Sequence, residues 1–326
     1  MALHGTRRAG KAGSWYEEDP SVLSQQLDRW LDSVAKSIDN SDTPIPGARA
    51  IIAPHAGYSY SGPCAAWAYK SLNLAGAKRV FLLGPSHTYY LRGCALTKFA
   101  KYNTPFGSLT VDEAVVQQLR GTGKFQDIPI HNDVEEHSLE MHLPYIYKRI
   151  SQTFSSEEDY PTLVPILVGN NNRAQEKQFG ELLAPYLRDP ENRFVVSSDF
   201  CHWGDRFDYT AYAPGGDVER LTSLTYKSRT PKDPEIHESI KILDHLAMDA
   251  IETGHHDDFV DNLAKTHNTV CGRHPIGVTM AALETLAKDV PDEKKYKFKF
   301  VQYARSSLVE HYSDSSVSYA SAYAIF

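Results

Sequence analysis

The sequence predicts an α/β fold, a single domain over residues 1–326 with a mostly parallel or mixed sheet flanked by helices. Three observations predict it. Short apolar runs end in small residues at Ala50-Ile51-Ile52-Ala53-Pro54-His55, Val80-Phe81-Leu82-Leu83-Gly84-Pro85-Ser86-His87 and Phe194-Val195-Val196-Ser197-Ser198-Asp199-Phe200-Cys201-His202, as buried strands of a parallel sheet do. Segments of helical period alternate with these runs, which is the βαβ grammar. The 326 residues are 41% hydrophobic, enough for one large core, and no repeat or linker divides them.

Along the chain, Val22, Leu23, Leu27, Trp30, Leu31 and Val34 predict a helix from Pro20 to Ser37. A turn-rich stretch, Asp39 to Gly47, leads to the first strand. The spacing predicts a helix over Ser61 to Leu74 with a small-residue packing face, a strand from Arg79 to Leu83 and a short helix from Asp112 to Leu119. A strand at Thr162 to Val168, a helix through Ala184 and the strand of Val195 and Val196 follow. Residues from Asp205 to Pro234 read as irregular. Helices then carry Ile236 to Ile251, Phe259 with Leu263, and Pro275 to Leu286, before alternating strands at Tyr296 to Phe300 and Val317 to Phe326.

A net charge of −7 argues against a nucleic-acid surface. The N-terminus, Met1 to Arg8, lacks the apolar core of a signal peptide, and no run approaches the ~20 apolar residues of a membrane span. Cys64, Cys94, Cys201 and Cys271 form no C-x-x-C and read as reduced thiols. The expected location is the cytoplasm, with the nucleus as an alternative, and neither membrane nor nucleic acid is an expected partner.

Ligands of open α/β sheets bind beyond the carboxyl ends of the strands, so three strand-terminal loops bearing His55, His87, Asp199 and His202 suggest a metal site. Imidazole suits zinc, copper, iron and nickel alike. Asp199 and His202, three apart, would share one face of a helical turn as site groups or an acid/base pair; alternatively Asp199 caps a helix. Cys271 precedes a predicted helix and neighbours Arg273, both of which favour the metal-binding thiolate; the alternative is a buried core cysteine. His137 and Glu140 are i,i+3 partners that would orient ligands from behind, or begin a solvated helix. His255-His256-Asp257-Asp258 reads as a surface cap and turn.

Gly13-Ser14-Trp15-Tyr16, His55-Ala56-Gly57-Tyr58-Ser59-Tyr60-Ser61-Gly62, Leu83-Gly84-Pro85-Ser86-His87, Glu136 to Tyr145, Ser197 to Gly204 and Cys271-Gly272-Arg273-His274-Pro275 occur in order over nearly the whole chain. Together they resemble the Memo family, mediators of ErbB-driven cell motility. The resemblance implies a fold like that of class III extradiol non-haem iron dioxygenases and a metal site of His55, His87 and Cys271, with Asp199 and His202 beside it. It implies iron or copper, with zinc as a further option, redox activity, and signalling around the cytoskeleton. It also implies a phosphotyrosine peptide or signalling protein as partner, with Trp15 and Tyr60 as aromatic walls. Cys271 stands where those dioxygenases have a carboxylate, which argues against ring cleavage. The expected function is therefore a redox-active metal protein. The alternatives are a non-haem iron dioxygenase or zinc hydrolase, and a non-catalytic phosphopeptide-binding adaptor.

Overall fold

Nine strands form the central sheet among the residues described by the computed structural model, which are 2–289, 292 and 295–326. Met1, part of the predicted domain and N-terminal reading, lies outside them. The strands are β1 (Ala48–Ala53), β2 (Arg79–Pro85), β3 (Cys94–Leu96), β4 (Phe125–Asp127), β5 (Thr162–Val168), β6 (Asn192–Ser197), β7 (His202–Trp203), β8 (Phe298–Arg305) and β9 (Ser316–Ile325). The order is β8-β9-β1-β6-β2-β5-β3-β4, with the short β7 also on β9. The four central strands run parallel, and β9, β8 and β3 join antiparallel. The sheet is therefore mixed. The apolar runs of β1, β2, β5 and β6 are buried almost throughout, as expected for strands covered on both faces.

The helices are α1 (Pro20–Ser33), α2 (Tyr58–Ser71), α3 (Glu113–Gly121), α4 (Ile130–Glu135), α5 (His137–Glu140), α6 (Leu143–Thr153), α7 (Arg173–Arg188), α8 (Ile236–Glu252), α9 (His256–Thr266) and α10 (Arg273–Asp289). Asp19 caps α1 by accepting the Ser21 and Val22 N–H groups, and Leu23, Leu27 and Leu31 bury its apolar face.

Several boundaries differ from the sequence expectation. α1 stops at Ser33 rather than Ser37, because Asp39 and Asn40 both take positive φ and turn Ser37–Ile38 back onto Ser41–Asp42. α2 begins at Tyr58, a turn earlier than Ser61. Asp199 and His202 do not share a helical turn: Asp199 lies in an irregular loop and His202 opens β7. Asp199 therefore caps no helix. His256, expected at the surface, is fully buried; its Nε2 lies 2.6 Å from Glu176 Oε2, while Glu176 Oε1 lies 2.6 Å from His274 Nδ1. That carboxylate joins α7 to the first turns of α9 and α10.

Candidate metal centre

His55 lies two residues beyond β1, His87 two beyond β2 and Asp199 two beyond β6. These three strands are adjacent in the order β1-β6-β2, so their loops emerge side by side at the carboxyl edge. Asp199 ties two of the loops together, its Oδ1 accepting the His55 N–H at 2.8 Å. Cys271 arrives from the α9–α10 connection. The Asp199 N–H donates to its Sγ at 3.2 Å, and the Cys271 N–H donates to the Asp199 carbonyl at 3.3 Å. Gly272 permits this approach, since a Cβ there would sit 2.3 Å from the Ser197 carbonyl oxygen.

One donor atom each from His55, His87 and Cys271 lies within 4.8 Å of the other two. Cys271 Sγ is 3.2 Å from His55 Nε2. Their tautomers follow from neighbours that the sequence reading missed. Ser197 Oγ donates to the Ser138 carbonyl at 2.7 Å, so toward His55 Nδ1, at 2.6 Å, it acts as acceptor. Nδ1 therefore carries the proton, and Nε2 presents its lone pair toward the thiol. Glu136 does the same for His87. Its Oε1 lies 2.9 Å from Nδ1, and its Oε2 accepts the His87 N–H at 2.7 Å, which leaves His87 Nε2 unprotonated in the neutral ring. Both imidazoles are thus held as metal ligands usually are, by a hydrogen bond on the far nitrogen.

Glu136 is buried but ionised. Burial raises its pKa, and the hydrogen bonds and charge of His87, with the charge of His137, outweigh that and bring it down to about 2. Burial, followed by repulsion from His87 and His137, holds His55 well below the usual histidine range. Burial also raises the Cys271 thiol, with Asp199 adding to the effect and Arg273 opposing it weakly. This reverses the expectation drawn from the helix start and Arg273: desolvation outweighs both. The thiol is protonated near neutral pH when no metal is present.

His137 stacks on His87 with centroids 4.3 Å apart and packs edge-on against His55. Burial and the charge of His87 bring its pKa down to about 4. Gly84 allows α5 to press this close, since a Cβ there would meet Ser138 Oγ at 2.6 Å. Glu140, its expected companion, faces away from the imidazoles. Its carboxylate accepts Arg7 Nη1 at 2.7 Å, the Lys11 N–H at 2.6 Å and the Tyr16 hydroxyl at 2.9 Å. The orienting carboxylate is Glu136, which caps the four-residue α5. An acidic residue directly ahead of His137 is the sequence signal that could have found it.

Above the cluster opens a cleft of about 830 Å³ lined by Trp15, Tyr60, His55, His87, His137, Asp199, His202 and Arg206, among others. His202 Nδ1 lies 2.8 Å from the Phe200 carbonyl, which must accept, so the neutral ring offers an unprotonated Nε2. Asp199 is raised by burial, opposed by His202 and by the His55 and Ala56 amides. Every site residue expected from the sequence except Glu140 therefore borders the cleft or the cluster beneath it.

Fold and cluster together define an α/β protein with a His/His/Cys group at the carboxyl edge of its sheet, open to a wide cleft. The chain belongs to the Memo family: the family model described as Memo-like protein matches residues 7–323. Protein MEMO1 of Xenopus tropicalis is 45% identical over 96% of this chain and 95% of its own. Protein MEMO1 of Homo sapiens is 43% identical over the same shares, and the memo-1 homolog of Caenorhabditis elegans is 41% identical over 98% of this chain and 84% of its own.

Proposed function

We propose that the protein binds one iron or copper ion through His55, His87 and Cys271 and is redox-active. The observation that carries this reading is the convergence of two imidazole nitrogens and one thiol within 4.8 Å, both imidazoles preset by Ser197 and Glu136. The donor set fits: neutral imidazole accepts iron, copper or zinc, and a thiolate adds softness. When bound, iron or copper supplies one-electron chemistry at the cleft floor. His55 and His87 hold and orient, Glu136 keeps His87 in its ligand tautomer, and Cys271 yields its proton on binding. Asp199 and His202 border the space above and serve as proton donor and acceptor there. Ring cleavage is disfavoured, because the third member of the group is the Cys271 thiol rather than a carboxylate.

The raised Cys271 pKa gives a direct test. Binding must release a proton from the thiol, so calorimetric titration in buffers of different ionisation heat is expected to give about one proton per metal. A value near zero would mean the thiol stays out of coordination. Glu136→Gln is expected to weaken metal binding by roughly 10- to 100-fold with little loss of secondary structure. Unchanged affinity would remove its orienting role.

A second reading draws on the walls of the cleft. Trp15 and Tyr60 with Arg206 suit a phosphotyrosine side chain, aromatic faces beside a cation, which is the signalling-adaptor alternative. Zinc in place of iron or copper would instead favour a hydrolase. Among the described residues no helix is long and apolar enough to cross a membrane, which is compatible with the cytoplasmic or nuclear setting that we infer.

A further inference from the structure

The edge of the sheet offers a surface that the metal centre does not use. Among the described residues β8 pairs with β9 alone, so its far side presents N–H and C=O groups to an incoming strand. Ser306 N–H donates to the Val317 carbonyl at 2.9 Å, and strand alternation then turns the Tyr303 and Arg305 N–H groups away from β9. Tyr303 N–H takes the side-chain oxygen of adjacent Gln302 at 3.2 Å, a local bond that an incoming carbonyl can replace. Further along, the Phe300 N–H is held by the Glu252 carboxylate at 2.6 Å, which limits the open edge to residues 301–305.

Beside this edge lies a groove of about 660 Å³ between β8 and α8. Met248, Val301 and Tyr303 supply apolar lining, and the basic lining groups are Lys241, His245 and Arg305, with no Asp or Glu among the lining residues. Lys241 and Arg305 share one carboxylate, Glu238, at 3.8 and 3.7 Å, Arg305 also donates to the His237 carbonyl, and Glu252 stands at the far, Phe300 end of the edge. The groove meets the cleft at Ser307, which lines both.

We propose that the β8 edge docks an extended acidic peptide. The peptide adds a strand along residues 301–305, lays its carboxylates on Lys241, His245 and Arg305, and runs toward the cleft over Ser307. A second copy of this chain fits less well, because β8-to-β8 pairing brings two basic linings together. The proposal stands apart from metal binding.

The test is fluorescence anisotropy at low salt with a labelled peptide of alternating glutamate and valine, eight residues long to match β8. Expected is a Kd below about 1 mM, weakened about tenfold by Lys241→Glu or His245→Glu at unchanged circular dichroism. Binding should persist in Cys271→Ser and vanish for a peptide N-methylated at alternate residues. Equal binding of a lysine–valine peptide, indifference to N-methylation or to both charge reversals, or no binding at all would overturn it. So would a concentration-dependent dimer that the same variants dissolve.

Discussion

Replacing Cys271 by serine is expected to strip iron or copper from the protein while leaving the fold nearly intact. A serine hydroxyl can keep the polar contacts of the thiol, since the Asp199 N–H reaches Sγ at 3.2 Å and the Asp199 carbonyl lies 3.4 Å away. The stability cost should therefore stay near 1 kcal/mol, the scale of one hydrogen bond. What serine cannot supply is a thiolate, and a soft metal loses its softest donor. His55→Ala and His87→Ala should reproduce the metal loss, whereas His255→Ala, an exposed change, should not. Metal content and thermal unfolding of the four variants decide the matter. Full loading of Cys271→Ser would remove the thiol from the ligand set and bring the Asp199 carboxylate, with ring cleavage, back as the leading alternative.

The second large effect is expected at Arg7, which does not line the cleft. Its guanidinium is fully buried and donates to Glu140, to Asp133 and to the Glu136 carbonyl, the last at 2.7 Å. Tyr102 and Thr97 complete the Asp133 carboxylate at 2.7 and 2.6 Å. Arg7→Ala removes one cation and leaves two buried carboxylates, Asp133 and Glu140, without it, a change that costs about 3–5 kcal/mol. Denaturant unfolding should report that loss, with metal affinity falling too, because the Glu136 backbone loses its anchor. A loss under about 1 kcal/mol would mean that water replaces the guanidinium. The prediction separates Glu140, a residue of the scaffold, from Glu136, a residue of the site, although the two stand four apart.

What the sequence made legible follows from range. β1, β2, β5 and β6 are continuous apolar runs, and their burial on both faces is written into their composition. The loops that follow carry His55, His87 and Asp199 at the carboxyl edge by the logic of the fold alone. The short strands β3 and β4, with three residues each, gave no period to read. The partners of His55 and His87 were hidden for another reason. Ser197 and Glu136 lie 142 and 49 positions away from the histidines they orient; the acidic residue ahead of His137 hints at a carboxylate near the site, but no local pattern says which histidine it orients. Which of the two readings of the Cys271 thiol holds was hidden on the same ground, since Arg273 and a helix start are local signals while desolvation belongs to the assembled core. At their three-residue spacing Asp199 and His202 would share one face only on a helical turn, and the pairing of His202 with β9 makes a strand instead.

The central claim is that His55, His87 and Cys271 hold a redox metal. It is tested most directly by elemental analysis of the protein purified without added metal, before and after anaerobic incubation with ferrous or cuprous ion. About one iron or copper per chain is the predicted result; a chain that takes up neither, or that carries zinc alone, would contradict it.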